Sequence, residues 1–131
     1  MNLETSSMDR HFISSSLQQQ LHEEYKAKNY AVINASREAG KPDSLEYTFN
    51  IEVLEQFLQY LKSQAQDQGV SNINVTICMA QYPEVSPDDR IKPAYNGYQS
   101  VFLKGVDADS HSDLANTNGL NFSSIIPPYR D

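Results

Sequence analysis

The chain has 131 residues, and its 17 acidic and 10 basic residues give a formal charge of -7. This length suits a single domain (1–131) with one hydrophobic core, and 39% hydrophobic residues exclude a disordered acidic tail. The charge disfavours nucleic acid and anionic lipid as partners and favours either solubility or a basic protein partner. No apolar run approaches the roughly 20 residues that span a bilayer, and the polar opening carries no export signal. We therefore expect a cytoplasmic protein with no membrane partner.

The first predicted element is a helix over about residues 17–29, after a polar N-terminus (1–13) that we expect to be flexible. The serines at 14–16 are candidate N-caps, and apolar side chains recur four residues apart after them. Glu24 and Lys28 have the i to i+4 spacing of a helical ion pair. The pattern predicts a helix with one apolar stripe.

The next stretch contains an ambiguous segment and a short strand. Residues 30–33 fit either an extension of the first helix or an extended segment, because periodicity cannot decide over four residues. Gly40, Pro42 and Asp43 then interrupt regular structure. Alternating apolar residues over 45–49 predict a strand.

A long amphipathic helix is predicted to begin after Asn50, a favourable N-cap, and to end at Gly69, which suits a left-handed C-terminal position. Its apolar residues recur with helical spacing, which predicts one buried face. The residues predicted to form that face are Leu54, Phe57, Leu58, Leu61 and Ala65.

Two further strands are predicted after this helix. Apolar residues alternate with others over 73–81, which predicts a strand. The second half of this stretch is apolar on both faces, which predicts an inner strand. Residues 99–103 resume a strand pattern after a loop with three prolines and Asn96-Gly97, so the two strands should pair as a hairpin. We predict an α+β fold with a small antiparallel sheet of about three strands, packed on one face by two helices. The acidic segment 105–131 is expected to be irregular.

A family resemblance covers about the middle half of the chain. It is carried by the helix starting at 49–54, the strand 73–81, the Tyr82-Pro83-Glu84 loop and the returning strand 97–103. This order resembles a group of small uncharacterised bacterial α+β proteins. The resemblance implies a fold and a bacterial origin, and it carries over no functional residue.

No catalytic constellation is recognisable in the sequence. Cys78 lies in the middle of a predicted strand, where a thiol packs as a small hydrophobe and is not activated. The five glycines never cluster, which excludes the known phosphate-binding loops. We therefore predict that the protein is not an enzyme and uses no cofactor.

An acidic run provides the first candidate site. Asp107, Asp109 and Asp113 alternate with other residues in a pattern that resembles the opening of a calcium loop. The resemblance fails at the sixth position, Ser112, where a calcium loop has glycine, and at the twelfth, Asn118, where it has glutamate. A solvated acidic loop is the competing interpretation.

Tyrosines around the proline-containing loop provide the second candidate site. Tyr82, Tyr95 and Tyr98 flank that loop and could form a recognition surface, although packing of the core and loop explains them too. With the acidic charge, they favour a non-enzymatic protein-binding module, immunity- or inhibitor-like, that engages a basic partner. The alternative is a metal- or small-ligand-binding protein that uses the Asp107–Asp113 loop.

Overall fold

The computed structural model describes residues 8–128, which group into two compact units divided between Ala39 and Gly40. It combines helices with antiparallel strands, so the α+β class is confirmed. Residues 1–7, to which most of the predicted flexible N-terminus belongs, lie outside the described residues. In chain order the elements are α1 (Ser15–Ala27), α2 (Asn29–Ala35), β1 (Glu46–Thr48), α3 (Ile51–Asp67), β2 (Ile73–Gln81), a 3₁₀ turn (Pro93–Tyr95), β3 (Gln99–Asp107) and β4 (Ser124–Ile126).

The first unit contains α1 and α2. Ser14 caps α1, with its Oγ accepting the Leu17 N–H at 3.0 Å, and the predicted Glu24–Lys28 ion pair forms at 2.6 Å. Lys28, between the two helices, does not have helical backbone geometry. Residues 30–33, for which the sequence left helix and extended structure open, belong to helix α2. Neither helix buries a residue. Packing of the first helix on a sheet stays a prediction.

Helix α3 begins and ends where the sequence predicted. Asn50 Oδ1 accepts the Val53 N–H at 3.0 Å, and Gly69 adopts a φ of 72° after the last turn. Leu58, however, is 36% exposed, so its predicted place on the buried face is wrong. It follows Phe57 by one residue, which is about 100° around the helix, and therefore lies at the flank of the contact. The residues that α3 buries are Phe57, Leu61 and Ala65.

The strands form two antiparallel pairs instead of the single three-stranded sheet that was predicted. Strands β2 and β3 are the expected hairpin, in register from Ile73 opposite Asp107 to Gln81 opposite Gln99. Strand β1 pairs instead with β4 near the end of the described chain. The segment 105–131, predicted to be irregular, therefore supplies the end of β3 and the whole of β4. The sequence prediction was wrong because three residues are too few for β4 to show a period.

Two apolar clusters form the core of the second unit. The first joins α3 to the hairpin, with Leu61 packed against Leu103 and Leu114. The backbone of β3 lies close to the Leu61 side chain there, since a Cβ added at Gly105 would lie 2.8 Å from Leu61 Cδ2. The second cluster consists of Tyr82, Ile91, Tyr95, Tyr98 and Ile125, with Tyr47 against it.

Candidate protein-interaction site

Strand β2 lies at an edge of the hairpin and exposes apolar side chains. Ile77 and Met79 are each 65% exposed and Val75 is 39% exposed. The predicted inner strand is therefore wrong, because no strand of residues 8–128 other than β3 pairs with β2. The exposed side chains share one face of the hairpin with Leu103, which lies opposite Ile77.

The backbone groups of β2 alternate between β3 and the open side. The Tyr82 N–H donates to the Tyr98 carbonyl and the Ala108 N–H donates to the Asn72 carbonyl, both at 2.9 Å. Even-numbered residues of this stretch therefore direct their N–H and C=O groups toward β3. The odd-numbered residues direct theirs away from it, along what we call the open edge. The open edge consists of the backbone groups of Ile73, Val75, Ile77, Met79 and Gln81.

The corresponding edge of β3 is occupied. Leu103 exchanges two backbone hydrogen bonds with Leu120, each 2.9 Å long, and the Leu114 N–H donates to the Gly105 carbonyl at 3.0 Å. The C-terminal chain therefore protects the outer side of β3 along its middle. Strand β2 receives no such cover within the described residues.

The composition of β2 leaves the open edge unprotected. Natural edge strands commonly carry a lysine, a proline, a bulge or an inward charge that prevents pairing with another chain. The nine residues of β2 include no charged residue, no proline and no glycine. In the hairpin they are paired residue for residue with β3, without a bulge. The strand is thus unbroken by a bulge, neutral and apolar on its exposed face.

The structure places the three predicted recognition tyrosines in the second core cluster. Tyr82, Tyr95 and Tyr98 are 6%, 4% and 8% exposed, respectively. The rings of Tyr82 and Tyr95 stack at 6.0 Å, and Tyr82 Oη donates to Asn121 Oδ1 at 2.8 Å. Packing accounts for their positions around the loop, and partner binding through these side chains stays a prediction.

The three aspartates proposed as metal ligands make separate local contacts. Asp107 Oδ1 accepts the Asp109 N–H at 2.9 Å, and this backbone hydrogen bond is the main cause of a lowered pKa at Asp107. Asp113 Oδ1 lies 2.8 Å from Lys104 Nζ, a contact that raises the pKa of Lys104. Within residues 8–128 no group of three acidic, histidine or cysteine side chains is placed to hold a metal. Metal binding by this loop stays a prediction.

A cleft of about 100 Å³ lies beside the tyrosine cluster, and no sequence pattern predicted it. Arg90 and Phe122 line it, with the guanidinium carbon of Arg90 4.5 Å from the centre of the Phe122 ring. Arg90 also pairs with Asp88, and its side-chain hydrogen bonds lower the pKa of Asp88 to about 2. Ser123 lines the cleft, and its buried Oγ has no hydrogen-bond partner in the described part of the chain.

Sequence patterns did not reveal the open edge. Alternation along 73–81 was read correctly as a strand, but alternation does not tell which strand of a hairpin receives cover. The absence of charge in β2 was visible, and it is equally typical of a buried strand. The informative signal would have been that β4 takes β1 as its partner, because β1 is then not available to cover β2. Short apolar runs do not specify such a partner.

The described residues include no helix that is both long and apolar enough to cross a bilayer. Comparisons with known proteins assign no relatives. Neither a family model nor a curated protein nor a solved structure matched this chain, and the resemblance to small bacterial α+β proteins stays a prediction.

Proposed function

We propose that this protein is a non-enzymatic protein-binding module that accepts an added β-strand along the open edge of β2. The observation that carries the proposal is the coincidence of two features on one strand. The backbone groups of the odd-numbered residues point away from β3, and the side chains of Ile77 and Met79 on those residues are 65% exposed. An added strand would use both features at once.

The energetics favour a strand as the occupant of this edge. Strand addition satisfies backbone donors and acceptors, each net hydrogen bond contributing about 0.5–1.5 kcal/mol. It also removes apolar side chains from water, at about 25 cal/mol per Å² buried. A helix or a flat surface would cover the side chains but would leave the backbone groups of β2 unpaired. Main-chain pairing therefore distinguishes this site from a general apolar patch.

Charge adds a second, weaker element to the proposal. The formal charge of -7 favours a basic partner by steering its approach, as in an immunity- or inhibitor-like protein. This electrostatic contribution would arise outside β2, because the strand itself is uncharged. The charge affects which proteins approach, whereas the open edge provides the contact.

Photo-crosslinking from defined positions tests the proposal. A photoreactive amino acid at Met79 is expected to give a discrete covalent adduct in an extract of the source cells, identified by mass spectrometry. The matched control carries the same group at Gln59, which is exposed on α3. Ile77→Lys is expected to remove the Met79 adduct, because a cation would project from the centre of the exposed face. Equal labelling from the two positions, or none from Met79, would contradict strand addition.

The metal- or small-ligand-binding alternative has no comparable support. Asp107 and Asp113 are engaged by a backbone N–H and by Lys104, respectively. Calorimetry with calcium, with a chelator as control, checks this alternative directly.

A further inference from the structure

We infer that the strand accepted by β2 is the β2 strand of a second copy of this chain, paired antiparallel with Ile77 opposite Ile77 of the second copy. The inference rests on the proposed function, since it names the occupant of the open edge. It would produce one continuous four-stranded sheet from two hairpins, with β2 strands at the centre and β3 strands outside.

The open edge is symmetric about its central residue. The nine residues Ile73–Gln81 have Ile77 at their centre, so a twofold axis there pairs the strand over its whole length. Every hydrogen-bonded pair then joins two odd-numbered residues, whose backbone groups all point outward. Val75 faces Met79 of the second copy, and Ile73 faces Gln81. A twofold register centred on any other residue leaves some of these outward groups unpaired.

The exposed side chains also match across that axis. The exposed Val75, Ile77 and Met79 project from one face, and the register places each of them opposite another member of the same set. Cross-strand apolar pairs of this kind stabilise antiparallel sheets. On the opposite face Thr76 meets Cys78 of the second copy, so no charged side chain faces another anywhere in the pair.

Charge separates a second copy from a basic partner. Two copies carry a formal charge of -7 each and repel one another, while the contact itself is neutral. Added salt screens that repulsion, so self-pairing is expected to tighten as salt increases. A basic partner steered by charge would bind more weakly under the same change. The sign of the salt dependence therefore identifies the class of occupant.

The geometry leaves room for the helices that pack on the same face. Helix α3 lies over β3, where Leu61 contacts Leu103 and Gly105. In the paired sheet the two β3 strands are three strand spacings apart, which is about 14 Å. Packed helices need an interaxial distance of about 8–10 Å, so the two α3 helices fit side by side without overlap.

The size of the contact sets its expected strength. Nine residues at about 3.4 Å each make an interface about 30 Å long and one strand wide. The area of such a contact is small compared with the roughly 800 Å² that each partner buries in a standard specific interface. We therefore expect a reversible dimer whose population depends on protein concentration.

Sedimentation equilibrium across a concentration series is the first test. The wild-type chain is expected to show a monomer–dimer equilibrium that tightens between 50 and 500 mM salt, roughly one decade of ionic strength. Ile77→Lys is expected to weaken the dimer by at least about tenfold, because it places two cations opposite each other. Val85→Lys is the matched control: it adds the same charge at an apolar residue that is 83% exposed but lies outside β2.

Results that overturn the inference are equally specific. A monomer at all concentrations would overturn it, as would a dimer that Ile77→Lys and Val85→Lys weaken equally. Both substituted side chains are largely exposed, so neither variant is expected to unfold. A circular dichroism melt of each variant confirms this before the association is compared.

Disulfide trapping tests the register. In a Cys78→Ser background, Ile77→Cys puts two thiols in a directly opposed hydrogen-bonded pair with Cα atoms about 5.5 Å apart, within disulfide reach. A mild oxidant is expected to convert this variant to a covalent dimer. Val85→Cys in the same background is expected to stay monomeric under identical treatment.

The wild-type chain is the internal control for register. Its Cys78 thiols would be offset by two residues from each other, beyond the roughly 7 Å limit for a disulfide. Trapping of the wild type through Cys78, with no trapping of the Ile77→Cys variant, would place the axis at Cys78 and overturn the stated register.

Failure of this inference can be distinguished from failure of the proposed function. An adduct from Met79 with twice the mass of the chain supports self-pairing. An adduct of this chain with a different protein, lost in Ile77→Lys, preserves strand addition and overturns the second copy as its occupant. No specific adduct from Met79 overturns both.

Discussion

Strands β2 and β3 pair residue for residue, yet they have different surroundings. Leu103 on β3 is 7% exposed and Ile77, its cross-strand neighbour on the same face, is 65% exposed. Both are large aliphatic residues in alternating strands. The difference comes from cover, because Leu103 lies under α3 and bonds to Leu120 on its outer side. Burial in this hairpin therefore depends on the position in the fold more than on the strand pattern.

Truncating the two cross-strand neighbours is expected to give the largest contrast. Leu103→Ala removes a buried side chain from the first cluster and is expected to cost about 2–5 kcal/mol of unfolding free energy. Ile77→Ala, at a mostly exposed position, is expected to stay within about 0.5 kcal/mol of the wild type. Urea denaturation of both variants measures the difference. Ile77 is to be tested at a protein concentration where the chain is monomeric. Equal costs would show that β2 is covered as well as β3.

A smaller effect is expected from the residue that ties the start of β3. Asp43 is buried, and its Oδ1 accepts the Gln99 N–H at 2.7 Å and the Ser44 N–H at 2.8 Å. Asp43→Ala leaves these two donors without their acceptor, which is expected to cost about 1–3 kcal/mol. Asp109→Ala, at an exposed residue, controls for the lost charge. A melting temperature equal to that of the control would show that Asp43 does not stabilise the start of β3.

The smallest change is expected at Ser123, beside the β4 strand. Its Oγ is buried and has no hydrogen-bond partner in residues 8–128, so Ser123→Ala removes a polar group that gains nothing from the fold. The variant is expected to be neutral or slightly more stable in a thermal melt. A clear loss of stability would reveal a partner for this hydroxyl, such as a bound water or a ligand in the cleft.

Local signals in the sequence predicted local structure well. Ser14 and Asn50 cap their helices, Gly69 ends α3, and the hairpin between β2 and β3 forms as expected. Each of these features depends on residues close together in the chain, so a cap or an alternation is enough to indicate it.

Features that depend on distant residues could not be read from the sequence. The pairing of β1 with β4 joins Tyr47 to Ile125, and neither segment is long enough to specify its partner. Leu58 and Leu61 both fit the apolar stripe of α3, but only the position of β3 decides that Leu61 is buried and Leu58 is at the flank. The open edge has the same origin, because it exists where no distant segment covers β2.

Residue-resolved amide exchange along β2 tests the central claim, that one side of this strand is open, most directly. In dilute solution the even-numbered amides, such as those of Thr76 and Cys78, are expected to exchange slowly because they bond to β3. The amides of Val75, Ile77 and Met79 are expected to exchange rapidly and to gain protection as protein concentration rises. Slow exchange at both sets in the dilute monomer would contradict the open edge and the interaction site built on it.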